Sequence, residues 1–445
     1  MLPPTAKPAK KWSVAVTESK TIAVDYLARV EGEGAMYLKI ENDEVTDLQF
    51  SIFEPPRFFE AFMRGRRLTE APDITARICG ICPVAYQMSA VHAMEDALSV
   101  TVGPQLRDMR RLLYCGEWIE SHALHVFLLH APDYLGYESA IHMAADHPDI
   151  VSRGLRLKKI GNDIVTVLGG REIHPINVKV GGFYRAPTEG ELQALVPDLE
   201  WGLETAMDTA RWAASLEYPD FDRPYEFVST SHPSEYPMLG ERIVSDGGID
   251  IGVAEWNDVF EERHVEHSNA LHAVIKEHGA YHVGPMARYT LNFDKLPDEL
   301  QKLGMETGLA GGCRNPFQSI VVRAIEIAYA YWLALDVIGS YERPSAASVE
   351  LSAVAGIGHG VSEAPRGLLY HRYEVDAAGL IVDAQIVPPT AQNQLSIEGD
   401  LWAYVPGRTH LPDEELQWQL EQTIRAYDPC ISCATHFLDL TIERS

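Results

Sequence analysis

Basic residues are scarce in this chain: 37 lysines and arginines stand against 64 aspartates and glutamates, a net charge of −27 over 445 residues. A surface of that sign repels a phosphate backbone, so nucleic acid is excluded as an expected partner. Long apolar runs are missing too. None approaches the roughly 20 residues that cross a bilayer, and no direct membrane span is expected. The amino-terminal MLPPTAKPAKKW has lysines but no apolar stretch behind them, unlike a secretory leader; residues 1–12 read as a flexible arm. Cysteine is sparse, six in all. They lack the even framework of a disulfide-stapled domain, which points to reduced thiols and a cytoplasmic location. No internal repeat or clean linker divides the chain, so residues 1–445 are expected to form one domain.

What is present is mostly helical patterning. Residues 34–53 alternate Met36, Leu38 and Ile40 with polar positions, turn at Glu41–Glu44, and resume with Val45, Leu48, Phe50 and Ile52, the pattern of a hairpin. Residues 105–131 predict one long buried helix. Thr188 and Glu191 form a capping box for a helix to about Glu217, bent or restarted at Pro197. Residues 316–340 are apolar nearly all round, the mark of a core helix. A second hairpin is predicted over Leu368–Val387, turning at Asp376–Gly379. A helix from Asp413 to Tyr427 opens with three acids, which suits its dipole, and stops at Asp428-Pro429. The fold class expected is mainly α (α+β), a large helical core with small sheets at its edge.

The strongest chemical signal is two CxxC pairs, Cys79-Gly80-Ile81-Cys82 and Cys430-Ile431-Ser432-Cys433. Each turn aims two soft thiolates at one point, so two such turns together make a four-sulfur metal site and require the chain's ends to meet. A zinc ribbon usually gathers its ligands within a short stretch, whereas these pairs lie roughly 350 residues apart, which disfavours it. A redox CxxC of the thioredoxin kind needs a βαβ setting that neither pair has. Cys115 and Cys313 stand alone and read as buried small hydrophobes. His122, His125 and His130 share a helix face, yet packed neutral histidines are the simpler reading and they are not assigned to metal.

Around the cysteines, RICGIC, AYDPCISCATH, ARVEGEG, RFFEAFMRGR and SEAPRG together resemble the large subunit of a nickel–iron hydrogenase, over Arg29 to His436. FEPPRFFE and RICGICPVAYQ are similar to the cytoplasmic NAD(P)-linked branch, the sulfhydrogenase alpha subunits. The resemblance implies reversible heterolytic oxidation of dihydrogen to protons and electrons. It implies Cys79 and Cys430 as terminal nickel ligands and Cys82 and Cys433 as bridges to an iron that carries carbon monoxide and cyanide. Arg366 and Thr390 match the positions that hydrogen-bond the cyanides. Glu31 matches the family's proton-relay glutamate. Asp428, an acid that the helix dipole disfavours at a helix end, is expected to have a specific partner such as Arg366, and the proton is expected on Cys430 sulfur or Arg366. Glu60, the carbonyl of Ile386, and His436 match the ligands of a structural magnesium ion. The tail, residues 437–445, matches an extension cut after His436 once nickel is in place.

Subtracting the four cage cysteines leaves two, too few for a four-cysteine iron–sulfur cluster. The electrons therefore need a partner. The resemblance implies an iron–sulfur small subunit, with diaphorase (flavin) and ferredoxin-like subunits carrying further clusters, FAD and NAD(P), and a maturation endopeptidase with nickel-insertion factors. Two positions depart from the family pattern: Tyr86, where many members have histidine, and Ser121, where others have aspartate. Both fall in the surroundings of the metals, where they bear on oxygen sensitivity and proton wiring. The alternatives are a hydrogen-sensing regulatory subunit and a metal-free, quinone-binding relative of the complex I type. The four cysteines argue against the latter.

Overall fold

Alternation and turn chemistry set the amino-terminal sheet. Strands β1 (Ser19–Val24), β2 (Gly34–Glu41) and β3 (Glu44–Ile52) pair antiparallel in that order. Met36, Leu38 and Ile40 face inward while their neighbours are half-exposed. The β2–β3 turn is the two residues Asn42 and Asp43, at φ 54° and 65°. Both lie in the left-handed region that a tight hairpin requires and that Asn and Asp tolerate. The structure, a computed structural model, describes residues 19–54, 57–352 and 354–435. The predicted arm at 1–12, His436 and the tail 437–445 lie outside them.

The longer helices, numbered in chain order, are α1 (Pro83–Ala97), α2 (Pro104–Ala123), α3 (Pro148–Gly169), α4 (Val196–Ala214) and α5 (Ser319–Gly339). Of these, α2 packs on α3 and α5, and α5 packs on α4, making the helical core. As expected of an all-round apolar segment, α5 is buried along nearly its whole length. Two of its three charged residues, Arg323 and Glu326, are inside as well, while Asp336 near its end is exposed. Glu326 is held by Arg288 through two 2.8 Å contacts and by the Tyr236 hydroxyl at 2.6 Å. The capping box at Thr188–Glu191 starts a short helix, Glu189–Gln193, and the chain restarts as α4 with Pro197 in its first turn.

One element departs from prediction. The segment read as a single helix over 105–131 is α-helical to Ala123, becomes a π-helix over Leu124–His130, and resumes as Ala131–Leu135 before Gly136 ends it. The wider turn changes the angular spacing of side chains. It brings the His125 and His130 rings within 4.9 Å, and it delivers Asp133 to the carboxy-terminal end of the fold.

That end is built from β4 (Gly356–Ala364), β5 (Gly367–Val375), β6 (Ile381–Val387), α6 (Pro389–Tyr404) and α7 (Asp413–Tyr427). The β5–β6 hairpin turns where predicted, with Asp376 Oδ1 accepting from the amides of Ala378 and Leu380. Strand β4 was not evident in the sequence, because every second residue at its start is glycine. The reason is contact: α1 lies so close that a Cβ on Gly358 would sit 2.0 Å from the carbonyl oxygen of Ala93.

Asp133 ties the two ends of the chain. Its buried carboxylate takes Arg29 Nη2 at 2.5 Å, and Arg425 through Nε and Nη2 at 2.9 Å each. Both guanidinium groups also lie against Trp418, at 5.2 and 5.3 Å. The buried Arg425 and the half-buried Arg29 repel one another; burial, then the charge of Arg425, lowers the pKa of Arg29. Asp133→Asn keeps the shape but removes the charge both need. Breaking a buried pair in this way costs about 3–5 kcal/mol. The expected result is a clear drop in the denaturation midpoint, which a urea or thermal unfolding curve measures; an unchanged midpoint would refute the clamp.

Candidate metal centre

Cys79 and Cys82 lie on a short loop that ends where α1 begins, with Cys82 just before the helix and Pro83 in its first turn. Proline fits there because its missing N–H has no partner to lose. The amides of Ile81 and Cys82 converge on Cys79 Sγ, at 3.3 and 3.2 Å, and favour its thiolate. Behind the loop, the buried carboxylate of Glu117 accepts from the amides of Val84 and Ala85 at 2.5 and 3.0 Å, capping α1.

The second loop is aimed by a strained residue. At the end of α7 the chain enters the left-handed region at Asp428, φ 56° and ψ 55°. For a residue with a Cβ that costs on the order of 1 kcal/mol. Arg366 holds it there, donating from Nε to the Asp428 carbonyl at 2.6 Å and from Nη2 to Oδ1 at 3.0 Å. Arg366 is itself fixed by a two-residue turn, Pro365-Arg366, since Ala364 pairs with Gly367 across β4 and β5. Past Asp428 the chain reverses, and Cys430 and Cys433 face the first pair.

The four sulfurs meet. Cys79 Sγ is 3.5 Å from Cys430 Sγ, Cys82 Sγ is 3.8 Å from Cys433 Sγ, and Cys430 and Cys433 sulfurs are 2.7 Å apart. All four lie within 4.8 Å of one another, and all are buried. With metal–sulfur bonds of about 2.3 Å a single ion spans nearly that distance. Among the described residues this is the only group of three or more histidine, cysteine or acidic side chains so placed.

Electrostatics also ask for a cation. Burial raises the Cys79 thiol, but contacts with Cys430, Cys433 and Cys82 and the charge of Arg366 carry it well below its ordinary value. The other three thiols are pushed up, first by burial. One proton leaves easily and the rest do not, because the cage concentrates like charge in a dry interior. Four thiolates become stable together only around positive metal. Soft sulfur donors suit nickel and iron, so the donor set fits the group implied by the sequence.

Glu31 stands at the edge of the cage, half-exposed. Its carbonyl accepts from the Ile431 amide at 3.0 Å, and its Oε2 takes the Cys430 thiol at 3.2 Å and the Ser432 amide at 3.0 Å. The glycine after it is required by contact: a Cβ on Gly32 would lie 2.7 Å from Ile431 Cβ, and its φ is +89°. Thr390, in the first turn of α6, accepts from the Cys430 amide at 3.0 Å through Oγ1, which leaves its hydroxyl proton to donate elsewhere. Arg366 is 3% exposed, and its Nη1 has no hydrogen-bond partner among the described residues. Although burial opposes its charge, Asp428 and the sulfurs of Cys430, Cys82 and Cys79 keep it firmly protonated.

Glu60 and Ile386 are adjacent, but through the amide: Ile386 N donates to Glu60 Oε1 at 2.7 Å. Burial, then the nearby charge of Glu262, lifts the Glu60 carboxyl to about 8. Tyr86 is buried one turn into α1; burial and then the charges of Cys433, Cys82 and Cys430 hold its phenol neutral. Ser121 is buried on α2 with no hydrogen-bond partner for its hydroxyl among the described residues. His122 Nε2 lies 3.0 Å from Glu326, and burial lowers it to about 4. His125 meets the carbonyl of Arg425 at 2.7 Å, and His130 meets Tyr134 at 2.7 Å. These histidines are packed and paired, as expected. Burial pushes Cys115 and Cys313 up to about 12, as befits inert thiols.

Four residues of the site were not anticipated: Glu117, Arg323, Glu54 and Arg57. Glu54 accepts from the Ser432 hydroxyl at 3.2 Å, and Arg323 donates to the Tyr427 carbonyl at 3.1 Å. Arg57 does carry a signal, since it opens the RFFEAFMRGR phrase.

Comparison with known proteins agrees with this geometry. Residues 57–153 and 338–436 match the family model for nickel-dependent hydrogenases. The chain is 33% identical to sulfhydrogenase 1 subunit alpha of Pyrococcus furiosus, over 94% of this chain and 98% of that one. It is 34% identical to sulfhydrogenase 2 subunit alpha of the same organism, over 94% and 100%. Among solved structures, an NAD+-reducing [NiFe]-hydrogenase in the H2-reduced state is similar at a TM-score of 0.80 and 25% identity, covering 94% of this chain and 99% of that one.

Proposed function

The chain belongs to the nickel-dependent hydrogenases, as the catalytic large subunit of a nickel–iron enzyme, and we propose that it feeds electrons from dihydrogen through an iron–sulfur small subunit to NAD(P). The observation that carries the reading is the meeting of four buried sulfurs from opposite ends of the chain. Nickel and iron, when bound, supply a soft, electron-rich pair that polarises dihydrogen, which is too weak an acid to split unaided.

The rest falls to the protein. Cys79 and Cys430 would hold nickel, and Cys82 and Cys433 would be available to both nickel and iron. Of the two acceptors expected, Cys430 Sγ receives the proton, since Arg366 is already protonated, and Glu31, 3.2 Å from that sulfur and half in solvent, carries it out. Asp428 holds Arg366 in place. The unpartnered Nη1 of Arg366 and the hydroxyl proton of Thr390 are donors suited to cyanide on iron. A half-buried carboxyl raised to about 8 wants a cation, which supports Glu60 as a magnesium ligand with the Ile386 carbonyl and His436.

Among the described residues no helix is long and apolar enough to cross a membrane; a cytoplasmic complex is proposed, with the chain as one domain. Diaphorase and ferredoxin-like subunits would hold FAD, further clusters and NAD(P). An endopeptidase and nickel-insertion factors would mature the site, removing residues 437–445 after His436. Metal binding and closure of the carboxy-terminal segment are then coupled, so cutting makes closure effectively irreversible. The test is the large subunit separated from a hydrogen-active complex: nickel and iron are expected there in equal amounts, the cluster iron staying with the partner subunits, and the intact mass is expected to end at His436. Absence of nickel would reject the function, and an active chain ending at Ser445 would reject the cleavage.

A further inference from the structure

We propose that Arg57 is the latch that closes the sulfur cage, a positioning residue for the metals that rests on the metal reading above. A single guanidinium nitrogen, Nη2, donates to the carbonyl of Ile78 at 2.5 Å and to the carbonyl of Ser432. Ile78 immediately precedes Cys79, and Ser432 lies between Cys430 and Cys433. The backbone amide of Arg57 adds a third contact, donating to the carbonyl of Thr435 at 2.5 Å. The side chain lies against the ring of Phe59, 5.3 Å from its centroid, which restricts where the guanidinium can go.

The bridge is needed because of what it joins. The two loops approach with carbonyl oxygens on their facing edges, and two such dipoles repel. A cation between them converts that repulsion into two charge-assisted hydrogen bonds. Each bond fixes the peptide next to a ligand, so the separation of the two CxxC turns, and hence the size of the cage, is set at this point. Glu31, Arg366 and Thr390 all hold the second loop only; Glu117 supports only the first. Arg57 spans both. The carboxy-terminal segment must therefore dock onto Arg57 as the site closes, which makes the latch a determinant of metal retention more than of turnover.

The test is the rate of nickel loss to a chelator from the purified, nickel-loaded complex, followed by metal analysis. Loss of an outer partner of a metal ligand usually weakens binding 10–100-fold. Arg57→Met, which keeps length but removes the donors, is expected to release nickel about 10–100-fold faster than wild type. Arg57→Lys keeps a cation at shorter reach and should fall between. Leu157→Ala, a cavity variant on α3, which contributes no residue to the cage, should lower stability without a matching rise in nickel release. Should Arg57→Met fail to fold, Phe59→Leu removes the ring beside the guanidinium and is expected to speed release in the same direction. Nickel release at the wild-type rate in the Arg57 variants, or in Phe59→Leu if that is the variant measured, overturns the latch while leaving the hydrogenase reading intact. A wild-type complex that binds no nickel overturns both.

Discussion

Replacing any one of Cys79, Cys82, Cys430 or Cys433 by serine is expected to abolish hydrogen uptake. The four thiols are not interchangeable supports around a tolerant pocket: each contributes one of four sulfurs packed within 4.8 Å in a buried site. Serine is shorter and offers a hard oxygen whose proton does not leave near neutral pH, so the nickel set is incomplete. Even losing an indirect partner of a metal ligand costs 10–100-fold, and loss of a ligand should exceed the upper end of that range. Nickel analysis and hydrogen-dependent dye reduction read the result. Cys115→Ser is the control: that thiol is fully buried on α2, is pushed up to about 12, and should leave metal content unchanged. A Cys82 or Cys433 serine variant with near-normal nickel and turnover would contradict the ligand assignment.

Glu31→Gln is expected to separate proton movement from metal binding. The glutamine keeps the shape, and its amide oxygen can still accept from the Ser432 amide, now made at 3.0 Å, so nickel should stay in place. What is lost is the ionisable oxygen 3.2 Å from Cys430 Sγ at the boundary between dry cage and solvent. A positioned acid–base group is commonly worth about 10²–10⁴-fold. Hydrogen/deuterium exchange between dihydrogen and solvent should fall by that order, with metal content close to wild type. Exchange at the wild-type rate would rule Glu31 out as the carrier.

The parts of the fold that could be read from the sequence were those whose cause is local. Asn42-Asp43 dictates its own turn, the acids at Asp413–Glu415 mark the start of α7, and Thr188 and Glu191 cap their helix. The π segment at Leu124–His130 was not readable, because an apolar run looks the same at either helical pitch. Strand β4 was hidden by glycines whose purpose, room for the backbone of α1, exists only in the folded chain. The site divides the same way. The cysteines, Glu31 and Arg366 announce themselves by residue type and motif. Arg57 and Glu117 act on backbone carbonyls and amides, which every residue has, so nothing in the sequence says which ones they meet. Asp428 shows both sides: its place at a helix end pointed to a special partner, and only the fold shows the left-handed turn that partner sustains.

The central claim is that sulfur from both ends of the chain surrounds one nickel. X-ray absorption at the nickel edge of the purified enzyme measures this directly, by counting the light and heavy scatterers around the metal. The account predicts a shell of about four sulfurs near 2.3 Å, the range of metal–thiolate bonds, with one sulfur fewer in any sample of Cys79→Ser that still holds nickel. A shell dominated by nitrogen or oxygen, or a sulfur count unchanged in that variant, would contradict it.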